Sequence, residues 1–228
     1  MVDIHTHLLF GVDDGPKTLE ESIEMIRDAK KIGFNEFYLT AHYNKGKFYN
    51  LNYDKNYEIL KKKCEELQLK VILHKGNEVY LDEKIDLILK KREFNLIKEK
   101  FLLVEFATLT PPNIGKHLLK KVLDEGFTPI LAHVERYSYF KGSDLVELKK
   151  IGVQLQVNIL GEKPKHIVKL LKEGYINYMG SDAHSVKYRS YKQIKREGTK
   201  IEKKELISGI FAFLFGSIFR RTWVRSHS

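Results

Sequence analysis

Short apolar runs rich in β-branched and aromatic residues recur at about residues 2–5, 36–41, 71–78, 101–106, 128–132, 153–157 and 176–180, and the longer segments between them carry apolar residues at helical spacing. Seven strands alternating with helices predict an α/β fold whose parallel sheet closes into a barrel. The first helix has a start and a stop written into it. Thr18 and Glu21 form a capping box, Leu19, Ile23, Ile26 and Ala29 share one face, and Gly33 ends the helix. Comparable helices are expected over Tyr53–Leu67, Leu81–Lys91, Ile114–Glu125, Ser143–Lys150 and Pro164–Glu173. No linker interrupts the pattern before about residue 197, which predicts one barrel domain over 1–197 and an apolar tail over 198–228. The apolar stretch Gly209–Phe219 falls short of the roughly twenty residues a bilayer span needs, so it reads as a helix packed on the barrel, with peripheral membrane contact left open. The ending Arg225–Ser228 reads as an appendage foreign to the domain, and His227 is set aside with it.

Composition narrows the class. A chain of 228 residues with 43% hydrophobic content can bury one sizeable core. Cys64 is the only cysteine, so no intramolecular disulfide exists, and the start Met-Val-Asp-Ile-His lacks the basic and apolar stretches of a secretory leader. A cytoplasmic location follows as the expectation. The net charge of +10 favours anionic partners, but Lys61–Lys63, Lys90–Arg92 and Lys149–Lys150 fall in helical segments where solvated faces explain them.

The chemistry sits where the strands end. His5 and His7 follow the first apolar run, His42 the second, Glu78 the third, Glu105 the fourth, His133 the fifth, and Asp182 with His184 the seventh; the sixth ends at Asn158 with no strong ligand. In a parallel barrel the loops leaving those ends converge on one face. Imidazole and carboxylate are ligands for borderline-to-hard divalent ions, and ligand-type side chains at nearly every strand end predict a polynuclear metal centre. A His-x-His alone is weak evidence, and Glu105 inside an apolar run is also explained by an ion pair with a buried lysine or arginine. The carboxylates of Asp13-Asp14-Gly15-Pro16 can reach the same mouth, although such a sequence also serves as a bare turn. Asp3 is placed as a supporting partner of a ligand, and His74, His117 and His166 as ordinary histidines. Arg136 and Arg189 follow ligands closely, and a guanidinium holds phosphate through two parallel hydrogen bonds, which points to a phosphoester; a surface salt bridge is the competing account. Cys64, in mid-helix without a phosphate-cradling loop, is read as inert, which leaves metal-activated water as the nucleophile.

Taken together, Val2–His7, Val12–Lys17, Thr40–His42, Gly76–Glu78, Val104–Phe106, Ala132–Tyr137 and Ser181–His184 resemble the polymerase-and-histidinol-phosphatase (PHP) superfamily. Within it, Asp13-Asp14-Gly15-Pro16 and His133-Val-Glu-Arg-Tyr137 resemble the bacterial capsule-type protein-tyrosine phosphatases of the CpsB/CapC group. The resemblance implies a distorted seven-stranded barrel and three metal ions, usually manganese, with iron, zinc, cobalt or magnesium as alternatives. By motif, His5, His7, Glu78 and Asp182 would hold the first ion, Glu78, Glu105 and His133 the second, and Asp14, His42 and His184 the third. Arg136 and Arg189 would match the phosphate-binding arginines. The implied substrate is phosphotyrosine in the tail of a bacterial tyrosine kinase governing capsule or exopolysaccharide synthesis. The chain departs from the group in a shorter His133–Asp182 stretch and in the apolar tail after Gly198.

Three other readings stay open at this point. One is a small-molecule phosphatase of the histidinol-phosphate type. Another is a nuclease or nucleic-acid binder, prompted by the charge and by Tyr43, Phe48, Tyr49, Tyr53 and Tyr57, although no basic stripe interleaved with stacking aromatics is present. The third is a module that keeps the fold without turnover.

Overall fold

The computed structural model describes residues 1–46, 48–49 and 51–194, so the tail expected after residue 197 lies outside the described residues. Strands β1 (Val2–Thr6), β2 (Glu36–Lys45), β4 (Ile72–Tyr80), β5 (Phe101–Glu105), β6 (Thr128–Leu131), β7 (Gln154–Asn158) and β8 (Tyr178–Gly180) pair in that order, each parallel to the next. The seam between first and last strands is drawn together by backbone bonds from His7 N to the Ala183 carbonyl and from Asp182 N to the His5 carbonyl. The result is a nearly closed parallel barrel, the architecture the apolar pattern predicts. Helices α1 (Leu19–Lys30), α2 (Tyr53–Glu66), α3 (Ile85–Lys91), α4 (Pro112–Asp124), α5 (Gly142–Lys150) and α6 (Lys165–Lys172) fill the crossovers. Among the described residues no helix is long and apolar enough to cross a membrane.

The helix ends follow local chemistry. Thr18 Oγ1 accepts from Glu21 N at 3.3 Å, and the Glu21 carboxylate reaches back to Lys17 N rather than to Thr18 N. Gly33, at φ +93°, then closes the C-terminus while Phe34 N bonds the Ala29 carbonyl. Helix α3 begins at Ile85 and not at Leu81, because Asp82 Oδ1 accepts from Lys84 N at 2.9 Å and holds that stretch as a turn. A further strand absent from the sequence reading, β3 (Phe48–Tyr49), pairs antiparallel with the end of β2. Two residues carry no detectable period.

Period-two alternation sorts the strand side chains into two layers. Leu102 and Val104 face a large core shared with α3–α6, whereas Phe37, Leu39 and Ala41 face α1 and α2. The alternate residues Tyr38, Leu103, Ile130 and Ala132, with Ile4 and Ile97, fill the barrel interior. Continuing upward along the interior parity leads from Tyr38 through Thr40 to His42, from Gly76 to Glu78, and from Leu103 to Glu105. The lower barrel is thus sealed by apolar side chains and its upper layer is polar. A one-residue bulge in β1 between Asp3 and Thr6 shifts the register against β2 just where His5 must turn toward that layer.

Gly180 is required by this closure. A Cβ there would stand 2.6 Å from His5 Cβ and 3.0 Å from Gln156 Nε2. Gly180→Ala is expected to lower unfolding stability by about 1–3 kcal/mol through overpacking, read as a shift in the denaturant midpoint. An unchanged midpoint would mean that the β8–β1 seam yields freely.

Candidate metal centre

The upper barrel layer brings together every ligand candidate predicted from the strand ends. His5, His7, His42, Glu78, Glu105, His133, Asp182 and His184 are all buried, and Asp14 reaches in from the loop after β1 with its side chain half-exposed. Three sets have ligand atoms within 4.8 Å of one another: His7, Asp14, His42 and His184; His5, His7 and Asp182; and His42, Glu78 and Glu105. The grouping is more interwoven than the partition implied by resemblance, since His7 and His42 each belong to two sets. His133 Nε2 lies 3.0 Å from Glu78 Oε1 and 3.6 Å from Glu105 Oε2. His42 and Glu78 lie inside β2 and β4 rather than at their ends, because both strands continue past them to Lys45 and Tyr80.

Hydrogen bonds fix which imidazole nitrogen faces the centre. His5 Nδ1 lies 3.1 Å from Gln156 Oε1, His7 Nδ1 2.7 Å from Asp13 Oδ2, and His184 Nδ1 2.9 Å from the Asp182 carbonyl. Each of those acceptors holds the proton on Nδ1 and turns the Nε2 lone pair inward. His5 Nε2 then stands 3.3 Å from Glu78 Oε1 and 3.5 Å from Asp182 Oδ1, and His7 Nε2 3.4 Å from Glu78 Oε2. Two ligands at ~2.1 Å from one ion sit roughly 3–3.4 Å apart, so these spacings suit atoms sharing a cation. His42 Nδ1, Glu78 Oε2 and His184 Nε2 are buried without a hydrogen-bond partner. Orphaned nitrogen lone pairs and a carboxylate oxygen, mixed in this way, are a donor set that fits divalent ions.

Supporting residues come in part from positions with no recognisable signature. The sixth predicted strand lacks a ligand but supplies the frame: Gln156 Oε1 accepts from both His5 Nδ1 and His133 N, and Asn158 Nδ2 donates to Asp182 Oδ2 at 2.9 Å. Asp3 supports the backbone rather than an imidazole ring. It accepts from His5 N, Ser181 N and the Tyr191 hydroxyl. Asp13 binds His7, His42 N and Gly15 N, so it acts as a strut beside Asp14. Lys45, which the sequence did not single out, places Nζ 2.7 Å from Glu105 Oε1. Basic residues are too common in this chain for that lysine to have stood out.

Arg136 and Arg189 both donate to Asp182 Oδ2, so the two cations meet on one carboxylate at the mouth. Arg189 Nε remains buried with no acceptor. His133, Asp182 and Arg189 all hold left-handed backbone, at φ +35°, +50° and +45°. Non-glycine residues occupy that region at a cost, and here part of it falls on groups that form the mouth. Elsewhere the plainer readings apply: His74 stacks on Tyr38, Tyr53 and Tyr57 bond the Leu39 and Leu73 carbonyls, and burial pushes the Cys64 thiol up to about 11.

Charge at the centre is coupled. Burial opposes the charged form of His7, yet Asp13 and Glu78 outweigh it and hold the imidazole up at about 9. His42 and His133, likewise opposed by burial, are lifted to about 10 and about 9 by Glu105 and Glu78. Burial and the neighbouring Glu78 both push Glu105 upward, but His133 and His42 prevail and bring it down to about 2. His184 is lowered to about 4 by burial and by His7.

Known proteins resemble the chain over most of its length. The family described as capsular polysaccharide synthesis, CpsB/CapC, matches residues 1–208. A tyrosine-protein phosphatase CpsB of Streptococcus agalactiae is 32% identical, covering 90% of this chain and 94% of the relative. A putative tyrosine-protein phosphatase CapC of Staphylococcus aureus is 30% identical, covering 84% of this chain and 80% of the relative. A solved structure from work on YwqE of Bacillus subtilis and CpsB of Streptococcus pneumoniae, described as metal-dependent tyrosine phosphatases, superposes with a TM-score of 0.78 at 27% identity, over 92% of this chain and 89% of that one. The histidinol phosphate phosphatase of Lactococcus lactis shares the fold alone, at a TM-score of 0.57 and 14% identity, over 89% of this chain and 92% of that one.

A pH dependence of the chelator-treated protein follows from these shifts. The raised histidines His7, His42 and His133 contribute stability that is complete below the ordinary histidine value of about 6.5 and is lost as pH climbs through about 9 to 10. The lowered groups Glu105 and His184 contribute stability that is present above their ordinary values and lost as pH falls through about 2 and about 4. Thermal unfolding without metal should therefore be highest near pH 6–7 and fall by pH 10. A metal-free protein as stable at pH 10 as at pH 7 would contradict this charge balance.

Proposed function

The chain belongs to the capsular polysaccharide synthesis CpsB/CapC family, and we propose that it is a cytoplasmic, metal-dependent protein-tyrosine phosphatase that works with Mn²⁺ on the phosphorylated tail of a bacterial tyrosine kinase governing capsule or exopolysaccharide synthesis. One observation carries the reading. A buried set of inward-facing imidazoles and carboxylates lies beside two arginines at a single barrel mouth. The proposed ligands are His5, His7, Glu78 and Asp182 for one ion, Glu78, Glu105 and His133 for a second, and Asp14, His42 and His184 for a third. The four carboxylates suit manganese, and iron, zinc, cobalt or magnesium would meet the same mixed set of donors. When bound, such ions supply Lewis acidity toward phosphoryl oxygens and lower the pKa of water.

The chain's own side chains do the rest. Gln156 and Asp13 keep His5 and His7 in one tautomer, so their ring orientation is set before substrate arrives. Arg136 and Arg189, anchored on Asp182, keep further N–H groups free for phosphoryl oxygens, and the unsatisfied Nε of Arg189 gains an acceptor when phosphate enters. Their cost of orientation is met in the folded protein, which is what makes such donors effective as charge builds on phosphorus. Tyrosine leaves readily because its hydroxyl pKa is about 10, far below that of an alkyl alcohol. Little protonation of the leaving group is then required, and preference for aryl over alkyl phosphates follows.

Phosphotyrosyl peptide should be hydrolysed in Mn²⁺ and spared after chelation, with histidinol phosphate turned over more slowly. His133→Ala should reduce metal per chain. Arg136→Ala or Arg189→Ala should keep the metal and lower kcat/KM by roughly 10²–10³-fold, the usual effect of deleting one transition-state donor. Hydrolysis indifferent to chelation would overturn the proposal.

A further inference from the structure

Lys45 is a third cation at the mouth, and its placement is built. It ends β2, three residues beyond His42, and Asn44 between them takes left-handed backbone at φ +61°. Asn44 is pinned by its amide, which donates to the Tyr80 carbonyl at 2.9 Å and to Asp82 Oδ1 at 3.3 Å. The register against β3 slips over the same residues, Tyr43 to Lys45, so the strand's alternation is reset and Lys45 returns to the face that His42 occupies. Nζ then lies 2.7 Å from Glu105 Oε1 and 3.4 Å from His42 Nε2. The lysine side chain is 39% exposed where its partner Glu105 is 6% exposed. The ammonium therefore spans the boundary between the dry centre and the open mouth.

Neutralising Glu105 does not account for this position once the centre is loaded. Glu105 is a proposed ligand of the second ion with Glu78 and His133, whose Nε2 lies 3.6 Å from Glu105 Oε2, and that divalent charge would supply what the carboxylate needs. The ammonium is then beside a like charge and gains by turning to an anion on its open side. An ammonium has three N–H donors, so contact with Glu105 leaves capacity for another acceptor. Arg136 enters after β6 and Arg189 after β8, whereas Lys45 arrives from β2, in a different sector of the rim. A tetrahedral anion held on one flank by the arginines presents oxygens to the other.

We propose that Lys45 is a further catalytic residue, donating to the phosphoryl group of the substrate from the flank of the mouth opposite the two arginines. This rests on the phosphatase reading, so its test includes a measurement that does not need turnover. Wild type, Lys45→Met and Lys45→Arg would be compared in the full metal-loaded chain for metal per chain, for binding of inorganic phosphate by calorimetry, and for kcat/KM on a phosphotyrosyl peptide. Lys45→Met should retain its metal, bind phosphate roughly 10–100-fold more weakly, as expected for one lost charged hydrogen bond, and lose at least as much in kcat/KM. Lys45→Arg should recover part of both. Phosphate affinity within about twofold of wild type would overturn the proposal, a threshold well below that expected loss. So would a deficit that vanishes at saturating metal, since Lys45 would then serve only to position Glu105. A wild-type protein that binds phosphate but leaves phosphotyrosyl peptide intact would refute the phosphatase reading, and the phosphate affinities would still decide the role of Lys45.

Discussion

The demand to neutralise carboxylates removed from water governs this molecule. Asp13, Glu78, Glu105 and Asp182 are buried in one layer, and an isolated buried carboxylate is too costly to persist in charged form. Counter-charge has to come from imidazolium, guanidinium, ammonium or a divalent ion. Each source leaves a mark: histidines lifted well above their usual range, arginines converging on Asp182, and a lysine on Glu105. Protons and metal ions thus compete for the same lone pairs, and metal affinity here is necessarily linked to pH.

A charge layer of this kind is tolerable only on a rigid frame, and the frame is mostly hydrogen-bonded backbone and amide. Gln156 joins β1 to the β6 loop by accepting from both His5 and His133 N, while Asn158 steadies Asp182. Asp3 and Tyr191 tie the start of β1 to the segment after β8, where the barrel closes. These bonds also reach the left-handed residues His133 and Asp182. Apolar packing alone would not hold such backbone, because it has no directional preference for one dihedral over another. The polar network supplies that direction, and the sealed lower barrel supplies the stability that offsets its strain.

The fold and ligand candidates were legible because both follow periods that survive in a single sequence. Strand parity places Tyr38 and His42 on one face, and it places Leu103 with Glu105, so a ligand near the end of an apolar run points where the interior points. Features built on one residue were not legible. The bulge in β1, the turn that delays α3 to Ile85, and the two-residue β3 each depend on a local bond or register shift with no repeating signal. Gln156 and Tyr191 read as an ordinary strand residue and an ordinary aromatic until the barrel closes around them. Lys45 was hidden for a different reason: in a chain of net charge +10, one more lysine carries almost no information.

That abundance of positive charge also separates two electrostatic roles. Lys61, Lys62, Lys90 and Lys91 are exposed on helices around the barrel, and a physiological screening length of about 8 Å confines each to its own neighbourhood. Together they can raise the encounter rate with an anionic chain, but they do not discriminate among anions. Discrimination requires cations that are partly desolvated, fixed in direction and within contact distance. Arg136, Arg189 and Lys45 meet those conditions because each is tethered to a buried carboxylate of the centre. Under the proposed reading the carboxylates act twice, as donors to metal and as anchors for the cations that would meet phosphate. Removing one of them would disturb both functions at once, whereas removing one of the three cations from the metal-loaded protein would weaken chiefly the hold on the anion.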